Sequence, residues 1–564
     1  MRDGRPAAWA MVALSWPAAA IAFGLPARAA RGMVAAENAR AAEVGLAVLK
    51  DGGGAVDAAV ATAFALAVVH PKAGNIGGGG FLLYRPAAGG AAAYDFREMA
   101  PAGARPDMWL REGRYDSDRH HESHLAVGVP GTVAGLHLAW KEQGRLPWKR
   151  LLEPAIGLAR DGFVVSEALA RSLRNTLPAL EKHPASRAAF SKAGVPYAPG
   201  DVLRQPDLAR TLERIAAAGP AGFYEGETAA LIEKEMRAGG GLVTRADLAA
   251  YRARRRVPLR GSYRGHDILT MPPPSAGGVQ LLEVLNMVEG DDLRAGGFGG
   301  AATVHLLAEA MRRAAADRAR YMGDPDVVTD LPLPRLLSKE HARSLRNGID
   351  PERASVSSPG AFEWTPATGH TTHVSVVDSA RNAVALTTTL EDNYGAKIVV
   401  PGAGFLLNNE MGDFNAGPGL TTAEGLIGTE PNLAAPHKRM VSSMTPTIVT
   451  RDGSLFLVLG SPGGRKIPSA VLLTLINVVD FGMNAQEAVD APRFHHQWLP
   501  DRILHEKWGL SPDTRERLAA RGHRLSDEWP ADSPTSVQAI RVDPQGGLEG
   551  GSDRRTADGA AVGY

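Results

Sequence analysis

Gly369-His370-Thr371-Thr372-His373-Val374-Ser375-Val376-Val377-Asp378 is the stretch on which the reading of this chain turns. Before it, Ser355 to Thr368 carries Pro359, Gly360 and Pro366 and has no hydrophobic period. At Thr371 an alternating pattern begins, the two-residue repeat of a strand with one face buried. A hydroxyl residue thus stands where a loop turns into a buried strand. Alone, this is an ordinary use of threonine, whose branched side chain suits a pleated surface. A break in the backbone before Thr371 would change its chemistry. The new α-amino group, with a pKa of about 7.7–8.0, would lie beside the hydroxyl and act as its general base. An unassisted threonine hydroxyl is far too weakly acidic to attack an amide.

Acyl transfer also needs donors for a developing oxyanion, worth about 3–4 kcal/mol for one well-placed group. Gly463-Gly464, within Ser461-Pro462-Gly463-Gly464 and ahead of an apolar helix from Ile467 to Val479, can offer backbone N–H groups. Without other support a Pro-Gly-Gly is simply a turn. Arg97 follows the strand Ala92 to Phe96, just before Pro101. Its planar fork suits a ligand carboxylate as well as a surface ion pair. Glu410 and Asp413, in Asn408-Asn409-Glu410-Met411-Gly412-Asp413-Phe414, can hold an ammonium group. Ser442 and Ser443 can join Arg97 on a carboxylate. An amino-acid head group needs both signs held at once.

The 564 residues suffice for three to four average domains, or for one large domain with a second lobe. With 62 basic against 61 acidic side chains, the chain lacks the electrostatic footprint of a nucleic-acid binder. A small molecule is the expected partner. Arg2 and Arg5, an apolar run from Ala7 to Leu25 and Ala27-Arg28-Ala29 read as a signal peptide over residues 1–29. Export follows, to the periplasm or beyond, with no stable membrane span expected. The absence of cysteine rules out disulfides, thiolate metal ligands and a cysteine nucleophile.

The pattern predicts a strand at Gly32 to Ala36, then helices from Asn38 to Leu49 and from Val56 to Ala67, the second apolar nearly all round and so buried. Gly77-Gly78-Gly79-Gly80 precedes a strand and has no following Lys-Ser/Thr pair, so it is not read as a phosphate loop. Gly131 to Arg260 is mostly helical, with Ser166 expected to cap a helix that Pro178 stops. A helix from Val304 to Met322 contains Asp317 and Arg318, read as salt-bridged helix residues. Beyond Thr371 come hairpins at 374–389 and 445–459. Strands followed by helices in both halves imply stacked helical and sheet layers, an α+β arrangement, rather than a βαβ array.

Thr371 to Asp378, Asn408 to Phe414, Ser442-Ser443-Met444-Thr445-Pro446-Thr447-Ile448-Val449 and Gly460-Ser461-Pro462-Gly463-Gly464 together resemble the γ-glutamyltranspeptidases, or glutathione hydrolases. Further matches are Gly77 to Phe81, Asp95 to Pro101, Met271-Pro272-Pro273-Pro274-Ser275 and Ala491-Pro492-Arg493-Phe494-His495-His496-Gln497-Trp498. The resemblance runs from about Gly32 to Tyr564.

It implies an N-terminal-nucleophile hydrolase with a four-layer αββα sandwich and an additional helical lobe from the large subunit. It also implies a precursor that cuts itself between His370 and Thr371. The products would be a large subunit, 30–370, and a small subunit, 371–564, held together as a heterodimer. Thr371 would attack the γ-carbonyl of glutathione or a related γ-glutamyl amide, with Gly463 and Gly464 as the oxyanion hole. Arg97, Ser442 and Ser443 would bind the α-carboxylate; Thr389, Glu391, Glu410 and Asp413 would surround the nucleophile and the α-amino group. Water, or an amino-acid or dipeptide acceptor, would release the acyl group; neither a cofactor nor a metal is implied.

Several positions depart from the family's common pattern. His370 precedes the scissile bond where many relatives have another polar residue, and Glu391 stands where many have Asn. Gly417 to Lys438 matches the family's lid loop, with Glu424 where some bacterial members carry an aromatic gate. Two other readings compete: a cephalosporin or glutaryl acylase with the same chemistry, and an exported solute-binding protein that never matures.

Overall fold

The computed structural model describes residues 24–358, 370–424, 428–529 and 535–564. Its architecture grows from one hairpin. His370–Val377 and Ala383–Glu391 pair antiparallel through the turn at 378–382, with Val374 opposite Leu386 and Thr371 opposite Thr389. These strands lie within a seven-stranded sheet whose order is Arg254–Arg256, Ala92–Phe96, Gly79–Arg85, Ala383–Glu391, His370–Val377, Met33–Ala36 and Ala560–Gly563. A second seven-stranded sheet runs Ala27–Ala29, Leu548–Ser552, Gln538–Val542, Ser454–Gly460, Thr447–Arg451, His266–Thr270 and Leu259–Tyr263.

Alternation along the strands decides what each face buries. Val374, Val376, Val384 and Leu386 join the helices Ala39–Lys50 and Ala55–Val69 in one hydrophobic core. Every residue of Ala55–Val69 is buried, as its all-round apolar character requires. The alternate residues Val377, Ala383 and Ala385 join Ile448, Val449, Leu457 and Leu459 of the other sheet. That same core takes in the helices Gly277–Val288, Ala301–Tyr321 and Ile467–Val479. Helix, sheet, sheet, helix is the αββα order that the family resemblance implies. The extra helical lobe comprises Trp148–Asp161, Glu167–Leu180 and Pro206–Ala218, which extend the first core.

Two local expectations need correction or qualification. Ser166 caps its helix, its hydroxyl accepting the Leu169 N–H at 3.0 Å, but Pro178 lies inside Glu167–Leu180 rather than ending it. Proline there removes the N–H that would pair with the Arg174 carbonyl, a loss confined to the last turn of the helix, which ends at Leu180. Ala27–Ala29, the expected end of the signal peptide, forms an edge strand against Leu548–Ser552. Removal after Ala29 would strip that strand from the sheet; residues 1–23 lie outside the described ones. Among the described residues no helix is long and apolar enough to cross a membrane.

The sheets interleave the chain on either side of His370–Thr371. Ala383–Glu391 pairs with Gly79–Arg85 over seven residue pairs from Thr389↔Gly79 to Ala383↔Arg85. Met33–Ala36 lies between His370–Val377 and Ala560–Gly563. Thr447–Arg451 pairs with His266–Thr270. A cut at 370/371 therefore severs one peptide bond but no sheet. The two products are expected to co-elute on native gel filtration and to separate only in denaturant; separation in native buffer would contradict this packing.

Candidate active site

At the start of its strand Thr371 meets an irregularity. The register slips between His370, which opposes Glu391, and Thr371, which opposes Thr389, so Leu390 is passed over. Glu391 takes up the slip with a φ of 74°, the left-handed region that a non-glycine residue seldom adopts. Thr371 is buried and its Oγ donates to Thr389 Oγ at 3.4 Å, while Thr389 Oγ also accepts the Glu391 N–H at 2.9 Å.

One cleft is lined by Thr371, Thr389, Gly464, Arg97, Glu391, Asp413, Ser442 and Ser443. Gly463 precedes Gly464 at the turn that leads through Gly464–Lys466 into Ile467–Val479. Its φ is 129°, and a Cβ there would lie 2.6 Å from Thr535 Cγ2, so only glycine fits. Ser442 is fixed by the Pro-Pro-Pro-Ser turn: its N–H donates to Pro274 O at 3.0 Å, and its Oγ accepts the Met444 N–H at 3.1 Å.

Arg97 is 1% exposed, not at the surface. Its Nη1 lies 2.5 Å from a Glu410 oxygen and 3.4 Å from Glu98, and Nη2 pairs with Asp413. The sequence reading gave Arg97 to a carboxylate and Glu410 and Asp413 to an ammonium. The structure pairs Glu410 and Asp413 with Arg97, so an incoming carboxylate must share Arg97 with them or displace them. Asn408 and Asn409 hold this turn in place. Asn408 Nδ2 donates to Gly77 O and Gly128 O, its Oδ1 accepts the Glu410 N–H, and Asn409 Nδ2 donates to His121 O.

Burial of so many carboxyl groups raises their proton affinity. Glu410 is pushed up to about 7 by burial; Arg97 pulls it down, Asp413 raises it, and hydrogen bonding to Thr389 lowers it. Burial, with Asp392, Asp413 and Glu410 nearby, holds Glu391 well above the usual carboxylate range. Glu98 is raised by burial and by Glu410. Burial alone would lower Arg97, but Glu410, Asp413 and Glu98 hold it above its ordinary value.

The structure adds three residues that the sequence reading did not place here. Arg318 leaves its helix to donate from Nη2 to Ser443 Oγ at 3.0 Å, and burial lowers it to about 10. Arg465 lines the cleft, lowered by burial and by Arg318. His121 Nδ1 lies 3.1 Å from Glu391 Oε1. A helical period gave no sign that Arg318 reaches Ser443, but Arg465 directly follows Gly464 and its position was readable. Glu424 is exposed, and residues 425–427 of the expected lid lie outside the described residues.

A hydroxyl at the irregular head of a central strand in an αββα sandwich, facing a glycine turn at a helix start, defines an N-terminal-nucleophile hydrolase. The family model for gamma-glutamyltranspeptidase matches residues 41–563. The chain belongs to this family. It is 47% identical over 559 residues to a glutathione hydrolase proenzyme of Escherichia coli strain K12, covering 97% of this chain and 95% of the relative. A cephalosporin acylase from Bacillus halodurans superposes with a TM-score of 0.86 at 28% identity, covering 99% of each chain. A gamma-glutamyltranspeptidase from Helicobacter pylori gives 0.56 at 43% identity, covering 59% of this chain and 93% of that one.

On the assignment of Glu410 to the substrate's α-amino group, that contact needs an ionised carboxyl, so kcat/KM for an α-amino substrate is expected to rise with pH through about 7. Glu410→Gln should remove that ionisation from the profile; an unchanged acidic limb would show that Glu410 does not govern it. Stability carries the opposite sign. A carboxyl raised in the folded state binds more protons there than when unfolded between its ordinary pKa of 4.5 and about 7, so its contribution falls as pH rises across that window.

Proposed function

We propose that this chain is a self-processing γ-glutamyltransferase and glutathione hydrolase in which Thr371 is the nucleophile. The observation that carries the reading is the single cleft holding Thr371, Gly464, Arg97, Ser442 and Ser443 in a chain of this family. In maturation Thr371 Oγ attacks the His370 carbonyl carbon, the peptide C–N bond breaks, and an ester forms as the nitrogen takes up the proton. Water then hydrolyses the ester. His370 becomes the carboxyl end of the large subunit, 30–370, and Thr371 the amino end of the small subunit, 371–564.

In turnover the freed amine accepts the Thr371 hydroxyl proton while Oγ attacks the γ-carbonyl of glutathione or another γ-glutamyl amide. The Gly463 and Gly464 N–H groups stabilise the oxyanion. Collapse expels the leaving amine, which takes the proton, and leaves a γ-glutamyl ester on Thr371. Water yields glutamate; an amino acid or dipeptide yields a new γ-glutamyl peptide. Arg97, Ser442 and Ser443 receive the α-carboxylate, with Arg318 orienting Ser443 and lending positive charge. Glu410 and Asp413 turn from Arg97 toward the α-ammonium, and Thr389 and Glu391 bound the nucleophile. Residues 1–29 direct export to the periplasm or outside the cell.

Thr371→Ala is expected to give one uncut, inactive band on a denaturing gel. The wild type should give two, the smaller beginning Thr-Thr-His-Val on amino-terminal sequencing. Cutting in the mutant, or a single active wild-type band, would place the nucleophile elsewhere. Arg97→Lys keeps the charge but loses the two-pronged contact, so KM for γ-glutamyl-p-nitroanilide should rise by about tenfold, the equivalent of about 1.4 kcal/mol, with kcat less affected. Glutaryl-p-nitroanilide, which lacks the α-amino group, should be the poorer substrate; a preference for it would favour acylase chemistry.

A further inference from the structure

A second cluster of ionisable groups lies outside the residues assigned to catalysis. Glu283 on Gly277–Val288, Asp317 on Ala301–Tyr321 and His341 on Lys339–Asn347 each present a side-chain donor atom, and these atoms all lie within 4.8 Å of one another. His341 Nε2 is 2.8 Å from Asp317 Oδ2 and 4.0 Å from Glu283 Oε1. Glu283 is 1% exposed, and neither of its carboxylate oxygens has a hydrogen-bond partner.

That last fact calls for an explanation. Burial and the neighbouring Asp317 push the Glu283 carboxyl well above the usual carboxylate range, so in this place it either holds a proton toward Asp317 or meets a cation. Arg335 draws on Glu283 by charge alone, its guanidinium lying against the ring of Tyr321 at 4.8 Å. A cation held in common by the three donors would offset both the burial and the neighbouring charge. We propose that Glu283, Asp317 and His341 form a structural site for a first-row divalent cation of the zinc type.

The chemistry and the dimensions agree. One imidazole and two carboxylates are a nitrogen and oxygen donor set suited to zinc, and three protein ligands leave a position for water. In a tetrahedral site with bonds of about 2.1 Å the donor atoms stand about 3.4 Å apart. The 2.8 and 4.0 Å separations bracket that spacing. Asp317 and His341 retain partial solvent access, which gives an ion a route in. Asp317 pairs with His341, as the sequence leads one to expect of a salt-bridged helix residue; the meeting of three helices separated by up to 58 positions, from 283 to 341, is not legible there. An ion here would tie together three helices, one of which also delivers Arg318 to Ser443.

The test uses untagged full-length protein freed of metal by chelator dialysis and titrated calorimetrically with zinc chloride. Wild type should bind one equivalent and melt at a higher temperature with the ion. Glu283→Gln and His341→Gln should each weaken binding by at least about tenfold while glutathione hydrolysis stays as in wild type. Crystals grown with zinc should give an anomalous peak among the three side chains, a readout that stands even if both variants fail to fold. No one-equivalent binding by wild type, undiminished affinity in both variants, or a peak only at other residues would overturn the proposal.

Discussion

The antiparallel pairing of His370–Val377 with Ala383–Glu391 is the constraint from which the rest follows. A strand with period two commits each side chain to a face, so placing Val374 and Val376 against the helices commits His373, Ser375 and Thr371 to the opposite face. There His373 Nδ1 meets Thr387 Oγ at 2.8 Å, and Ser375 Oγ donates to Gln538 O of the other sheet at 3.0 Å. The polar row is satisfied along its length. At its head, where the second sheet gives way to the glycine turn, the same row presents the hydroxyl of Thr371 to a cleft rather than to another strand. Location within a rigid sheet gives the nucleophile a fixed position, which catalysis by orientation requires.

Electrostatics around that hydroxyl are governed by crowding of carboxyl groups. Glu98, Glu410 and Asp413 surround Arg97, while Arg465 lines the same cleft and Arg318 reaches Ser443. Ion pairs this deeply buried contribute little net stability, because desolvation offsets most of the attraction. Their value is positional. An amino-acid head group carries one charge of each sign, and the proposed exchange would replace the pairs of Arg97 with Glu410 and Asp413 by pairs of the same kind with the substrate. The charge count in the site is unchanged, so the substrate does not have to be accommodated by creating an unpaired buried charge.

Much of this is legible in the amino-acid sequence. Alternation located the central hairpin, the all-round apolar Val56 to Ala67 announced a buried helix, and turn residues marked both hairpins; these signals are local. The four-layer order and the residues of the cleft came from motif resemblance, since nothing in the spacing of Arg97, Thr371 and Ser442 reports that they meet. What stayed hidden depends on long-range geometry. Arg318 reads as one more helical arginine, and only the packing of Ala301–Tyr321 against the Ser442-Ser443 turn brings it to Ser443.

Glu391 ties these strands of reasoning together. Its carboxylate sits where an amide would make an easier buried partner, and the surrounding residues fit the larger demand. A Cβ on Gly412 would lie 2.4 Å from both Glu391 Oε2 and His121 Nδ1, so the glycine between Glu410 and Asp413 is what leaves room for the Glu391–His121 pair. The backbone of Glu391 meanwhile adopts the left-handed conformation that accommodates the register slip beside His370–Thr371. One residue thus connects the shape of the binding cleft to the distortion at the bond expected to break. Backbone held in a sparsely populated conformation persists only where the surroundings over-determine it. Here the hydrogen bond from Glu391 N–H to Thr389 Oγ and the contact of its side chain with His121 supply that determination from both ends.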